Sequence, residues 1–126
     1  DEFAHLVIMT SVITHLVPED TAHYLRETAR VLRRDGTALV TAFCIDEASR
    51  AAARDGHNRA NLKWSEPLGY WIRDDDVKEN VLGYDHARLR DWIEEAGLRV
   101  VARHRGSWSG VRPSLSFQDL FLLARA

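Results

Sequence analysis

Residues 1–44 place the tightest constraint on the fold. Two short apolar runs, Ala4–Met9 and residues 37–43, flank an amphipathic stretch that carries its own start and stop signals. The first run is almost continuously apolar around Leu6-Val7-Ile8. That is the pattern of a strand buried on both faces, as in a parallel sheet. Pro18 suits the first turn of a helix, with Glu19 and Asp20 beside the positive helix end. Ala22, Leu25, Ala29 and Leu32 follow at spacings that put them on one stripe. Arg30, Arg33 and Arg34 crowd the far end, and Gly36 predicts a left-handed cap there. Strand, helix and strand in this order predict a parallel crossover and an α/β class.

Residues 46–54 predict a short Ala-rich helix, capped by Asp46 and ended by Gly56. Residues 57–84 are less regular, with a hairpin or short strand expected at 70–73. Asp85 predicts the cap of another helix, with Leu89, Trp92, Ile93 and Ala96 on one face and Gly97 at its end. Leu98–His104 alternates Leu98, Val100 and Ala102 against Arg99 and Arg103, a strand with one polar face. The segment 106–116 is rich in Gly, Ser and Pro, and residues 118–124 predict the last strand. Two adjacent final strands predict an antiparallel hairpin closing a mostly parallel sheet.

Composition excludes several function classes. The chain has 126 residues, which suits one domain, and 45% hydrophobic against 29% charged residues argues against disorder. Net charge is −2 with no basic block, so nucleic acid is not the expected partner. The longest apolar stretches, LVIM and LFLLA, are too short to cross a bilayer, and no membrane is expected as partner. Asp1-Glu2 carries no basic leader, so a secretory signal is not expected. Cys44 is the only cysteine, which rules out an internal disulfide and fits a cytoplasmic setting.

Several residues are candidates for chemistry. In an open α/β sheet, ligands bind beyond the carboxyl ends of the strands, and Thr10, Ser11 and Val12 occupy that position. Their alternative role is to close a strand end by local hydrogen bonds. His15, a few residues on, is a candidate general base, or else a histidine packed under the helix start. Histidines 5, 23, 57, 86 and 104 show no ligand spacing, so no metal site is expected. Trp64, Tyr70, Trp71 and Trp108 form a candidate substrate pocket able to sandwich a flat acceptor, or else a satellite core. Asp74-Asp75-Asp76 imitates a metal cluster, but three adjacent acids point apart and predict a solvated turn.

The order of these segments resembles the C-terminal half of the class I (Rossmann-like) S-adenosylmethionine-dependent methyltransferases. The strings that carry the resemblance are FAHLVIMTSVITHL (3–16), ARVLRRDGTALVTAF (29–43), YDHARLRDWIEEAGLRV (84–100) and SFQDLFLLAR (116–125). They are similar to that family's fourth strand and its turn, the helix and "LRPGG"-type turn before the fifth strand, the last helix, and the closing strands. Arg34-Asp35 stands where the family often has Pro-Gly. The resemblance implies that residues 1–126 form a single partial domain, with 46–84 as an insertion that serves as a substrate loop. It implies S-adenosyl-L-methionine as cofactor of the complete protein, a small-molecule acceptor, and a cofactor-lining role for Thr10, Ser11 and Val12. The family grips its cofactor with a glycine-rich loop and an acidic residue. The glycines here, at 36, 56, 69, 83, 97, 106 and 110, form no such cluster. The resemblance therefore implies that these elements lie upstream of Asp1, and that this chain alone is inactive. The alternative is a non-catalytic interaction module that forms a homodimer or domain swap through an exposed strand at 4–9. A dehydrogenase-like nucleotide fold is a third option, which the hairpin ending disfavours.

Overall fold

The computed structural model describes residues 2–73 and 81–126. Its elements run β1 (Ala4–Met9), α1 (Pro18–Val31), β2 (Leu32–Ile45), α2 (Glu47–Arg54), β3 (Lys63–Ser65), β4 (Tyr70–Ile72), β5 (Leu82–Asp85), α3 (His86–Glu95), β6 (Leu98–His104) and β7 (Asp119–Arg125). The acidic run at 74–76 lies outside the described residues.

The predicted crossover is present. β1 and β2 pair in parallel, Leu6 to Thr37 through Met9 to Val40, with α1 between them in sequence. Beyond that, Phe43–Ile45 of β2 pair in parallel with Gly83–Asp85 of β5. β7 lies antiparallel to β2, and β6 antiparallel to β7, which is the expected closing hairpin. The class is α/β, but the sheet is not mostly parallel. The short strands β3 and β4 fold out of the 57–84 region and add two more antiparallel pairings, β3 with β4 and β4 with β5.

Gly36 is not a helix cap. The Leu32 N–H closes α1 by donating to the Thr28 carbonyl, and Leu32 is already extended. Leu32 pairs with Ala4 and Thr37 with Leu6, so residues 33–36 bulge against β1. A Cβ on Gly36 would lie 2.9 Å from the Ala4 carbonyl oxygen, so the glycine serves close backbone approach.

Alternation along the strands defines two faces. On one, Met9, Ala38, Val40, Phe121 and Leu123 pack against Leu25 and Ala29 of α1 and Leu89 and Ile93 of α3. On the other, Phe43 and Ile45 join Ala60, Leu62, Val81 and Trp108 in a second cluster near the carboxyl ends of the strands. Among the described residues nothing covers the far end of that second face. Leu6 and Ile8 are 58% and 59% exposed, so β1 is not buried on both faces as its sequence predicts.

The structure departs from two further sequence expectations. Asp46 caps α2 through a reciprocal pair, the Ser49 N–H to its Oδ1 and its own N–H to Ser49 Oγ. Asp85, the apparent twin, caps nothing with its side chain. Its carboxylate is drawn to Arg50 and to the Trp71 indole instead. In β6 the register slips between Val100 and Ala102, so the polar alternation breaks and Val101 is left 53% exposed.

Candidate functional site

The ligand end of the sheet is built around Ser11. This residue follows β1 and adopts a left-handed backbone, φ 58°, which is uncommon outside glycine. Its N–H donates to Thr41 Oγ1 of β2 at 2.9 Å. Its Oγ accepts from Gln118 Nε2, just before β7, at 2.7 Å. One serine therefore ties the end of β1 to Thr41 within β2 and to the residue that precedes β7. Strained backbone persists where surrounding contacts over-determine it, and such places concentrate at functional sites. Thr10 and Ser11 are exposed and Val12 is half-buried.

Val12 leads into a single 3-10 turn, Ile13–His15. The turn is pinned from below, because the Leu16 carbonyl accepts from the Tyr84 hydroxyl and from Thr21 Oγ1. His15 itself is exposed on this turn, and its N–H donates to the Val12 carbonyl. It is therefore not packed under the helix start. Two buried polar atoms close by have no hydrogen-bond partner among the described residues, Thr14 Oγ1 and Gln118 Oε1. Gln118 reaches Ser11, so its orphaned oxygen lies at the same clasp.

The four candidate pocket aromatics part company. Trp108 is 2% exposed and belongs to the second core cluster, edge-on to Phe43 at 5.5 Å. Tyr70 is buried on the opposite side of β4, against Tyr84. Trp71 is half-buried against the Trp108 cluster, and Trp64 stands 41% exposed, edge-on to Trp71 at 5.8 Å. Trp71 and Trp108 share a void of only about 10 Å³ with Ile45, Ser49, Asn58 and Leu62. That space holds one water at most. Trp64 and Trp71 remain able to contact a ligand, whereas Trp108 and Tyr70 act through packing.

Asp119 is the residue that the sequence does not announce. It is 1% exposed and accepts three hydrogen bonds, from the Cys44 N–H at 2.8 Å, the Gly106 N–H at 2.7 Å and Trp108 Nε1 at 3.0 Å. Burial pushes its carboxyl above the usual 3.8, against the lowering effect of these donors and of the Arg103 charge. Asp119 thus binds the loop 106–118 to the carboxyl end of β2. Gly106 has no alternative, since a Cβ there would lie 2.3 Å from the Phe117 carbonyl oxygen. The available signal is a lone acid opening the otherwise apolar run DLFLLA.

A second ionic knot stands beside it. Arg103 Nη1 and Arg105 Nη2 both reach Asp46 Oδ2, at 3.2 and 2.5 Å. Burial would raise the Asp46 carboxyl, but the Arg105 hydrogen bond, the Ser49 N–H and both guanidinium charges hold it well below the usual range. Cys44 is no nucleophile, because burial pushes its thiol up to about 12. Among the described residues no group of His, Cys, Asp and Glu could hold a metal ion, and no helix is long and apolar enough to cross a membrane.

No family model matches the chain. Solved structures do. The chain is similar to the mitomycin 7-O-methyltransferase MmcR, with TM-score 0.63 and 18% identity, over 99% of this chain and 30% of that one. It is also similar to NcsB1, an O-methyltransferase of neocarzinostatin biosynthesis solved with S-adenosylmethionine and 2-hydroxy-5-methyl naphthoic acid. There the TM-score is 0.58 and the identity 18%, over 98% of this chain and 29% of that one. The chain carries a methyltransferase fold. It spans less than a third of the length of these structures. A pericyclic reaction enzyme matches as well, with TM-score 0.62 and 9% identity, over 99% of this chain and 27% of that one. The fold by itself therefore does not fix the chemistry.

Proposed function

We propose that the chain is the C-terminal half of an S-adenosylmethionine-dependent methyltransferase acting on a small-molecule acceptor. The observation that carries this reading is the Ser11 clasp. A left-handed serine at the carboxyl end of β1, held by Thr41 and Gln118, shapes the turn where an α/β sheet receives a ligand. Thr10, Ser11 and Val12 line the methionine end of the cofactor in this reading. The orphaned Gln118 Oε1 fits a ligand that brings a donor, such as an ammonium or a hydroxyl. The fold likeness to methyltransferases, one of them solved with S-adenosylmethionine, supports the assignment.

A methyl sulfonium is already activated, so the protein has mainly to align the acceptor and exclude water. His15, exposed beside the clasp, is the candidate base for the acceptor proton. Trp64 and Trp71, on the hairpin of the 46–84 insertion, are the candidate acceptor contacts. In this reading the glycine-rich loop and the ribose-binding acid come from the half of the fold that residues 1–126 do not supply, and the setting is cytoplasmic. Calorimetric titration of the 126-residue chain with S-adenosylhomocysteine is expected to give no saturable heat. Tight binding by this chain alone would overturn the half-domain reading.

The bare end of the second face favours a second reading, an interaction module. Phe3, Leu6 and Ile8 are 71%, 58% and 59% exposed beside a strand edge that has no partner among the described residues. Such an edge recruits another chain, here a second copy. Sedimentation at micromolar concentration is expected to show a dimer, and a folded monomer there would exclude it.

A further inference from the structure

The outer edge of the sheet is cationic. Residues 96–118 hold four arginines and His104 but no acid, in a chain of net charge −2. β6 ends the strand order, and beyond it the chain turns back through the segment 106–118. Two backbone bonds tie that loop to itself, from the Ser107 N–H to the Ser116 carbonyl and from the Trp108 N–H to the Phe117 carbonyl, both at 3.0 Å. Between the end of β6 and residues 111–115 lies a cavity of about 410 Å³, a size suited to a small ligand.

Among the described residues no carboxylate lines this cavity. Arg105 is its main donor. The Arg105 Nη2 is committed to Asp46, but Nε and Nη1 have no partner among the described residues and are not buried. His104 is exposed and Ser114 half-buried, and neither side chain has a partner among the described residues. Arg103 adds charge but no grip, because its guanidinium lies over the Phe121 ring with Nη1 on Asp46. Two guanidinium groups thus answer to the one Asp46 carboxylate. Asp119 lies behind the loop, 1% exposed with three N–H donors on its oxygens, so it does not compete for the cavity's donors. Val111, Pro113 and Leu115 make the apolar wall, and Leu115 is 73% exposed.

We propose that the cavity under the loop 111–115 binds a phosphate monoester with a small apolar body. The spare N–H groups of Arg105 meet the phosphate charge, and the His104 imidazole and the Ser114 hydroxyl donate to its other oxygens. A phosphate offers three terminal oxygens, one for each kind of donor here, whereas a carboxylate offers two in one plane. Val111, Pro113 and Leu115 receive the organic body, which a bare phosphate lacks.

Phenyl phosphate titration of the isotope-labelled chain, followed by amide NMR at low salt, tests the site. Saturable shifts confined to residues 103–106 and 111–115 are expected at millimolar ligand. Phenol, the neutral analogue, is expected to give none, and inorganic phosphate to bind about fivefold more weakly for want of the apolar contact. Arg105→Met is expected to weaken phenyl phosphate at least about tenfold. Arg105 also holds Asp46, so His104→Ala and Ser114→Glu test the site with that ion pair in place. Roughly threefold weakening is expected for the first. The second puts a carboxylate among the same cations, so it is expected to abolish binding and to raise the urea midpoint. The proposal is overturned by absence of saturation to roughly 20 mM phenyl phosphate, by phenol shifting the same amides alike, by equal binding of phosphate, or by binding unchanged in Ser114→Glu.

Discussion

Asp119→Ala is expected to cost about 4 kcal/mol of folding stability, measured as a shift of the urea midpoint at constant slope. The substitution removes the shared acceptor of three buried donors, the N–H groups of Cys44 and Gly106 and the indole of Trp108. Water does not replace it, because the carboxylate is 1% exposed. A domain of this size holds about 5–15 kcal/mol in total, so the loss is a large share. Asp119→Asn is expected to be milder, about 2 kcal/mol. Its amide oxygen can serve Cys44 and Trp108 from the Oδ2 position, but its NH₂ then faces the Gly106 N–H. The two variants also separate by pH. The Asp119 carboxyl is raised in the folded protein, so the folded state holds the extra proton. This group's contribution is fully present below pH 3.8 and is lost as pH rises through the raised folded value. The difference in stability between wild type and Asp119→Asn should therefore shrink as pH rises across that window. A difference that is flat with pH would mean that Asp119 titrates normally despite its burial.

The elements legible in the sequence are those decided within a few residues. Pro18 with Glu19 and Asp20 mark the start of α1, and Asp46 ahead of an Ala-rich stretch marks α2, because caps and helix propensity are local. Asp46 and Asp85 look alike in sequence, yet only Asp46 caps. Arg50, 35 residues from Asp85, takes the second carboxylate, and no local pattern encodes that competition. Gly36 has every mark of a helix stop, but its role is set by Ala4 on the neighbouring strand. Alternation in β6 was visible and still misled, because a slip between Val100 and Ala102 is invisible without the partner strand. The apolar run of β1 showed that a strand exists there, but whether its second face is covered depends on what packs against it. At the ligand end, Thr10–Val12 were placed by the rule for strand ends. Thr41 and Gln118 were missed, since their contacts with Ser11 span 30 and 107 residues.

Trp108 distinguishes a ligand contact from a structural one more sharply than any other aromatic. If it lined an acceptor pocket, its removal would leave stability nearly intact. Here it fills the second core cluster at 2% exposure and donates to Asp119, so Trp108→Ala is expected to cost about 4 kcal/mol. Trp108→Phe keeps most of the volume and deletes the indole N–H. It is expected to cost about 1–2 kcal/mol, because Asp119 Oδ2 keeps the Cys44 N–H. The loss should not add to that of Asp119→Ala. Both single changes dissolve the same knot, so the double variant is expected to be less destabilised than the sum by about 1–2 kcal/mol. Trp64→Ala is the contrast. That ring is 41% exposed and donates only to Glu66 two residues away, so its loss should leave the urea midpoint nearly unchanged. A stable Trp108→Ala variant would return Trp108 to the acceptor pocket. The expected pattern instead makes the loop 106–118 a fixed wall of the ligand end, with Trp64 and Trp71 as the aromatics left to meet an acceptor.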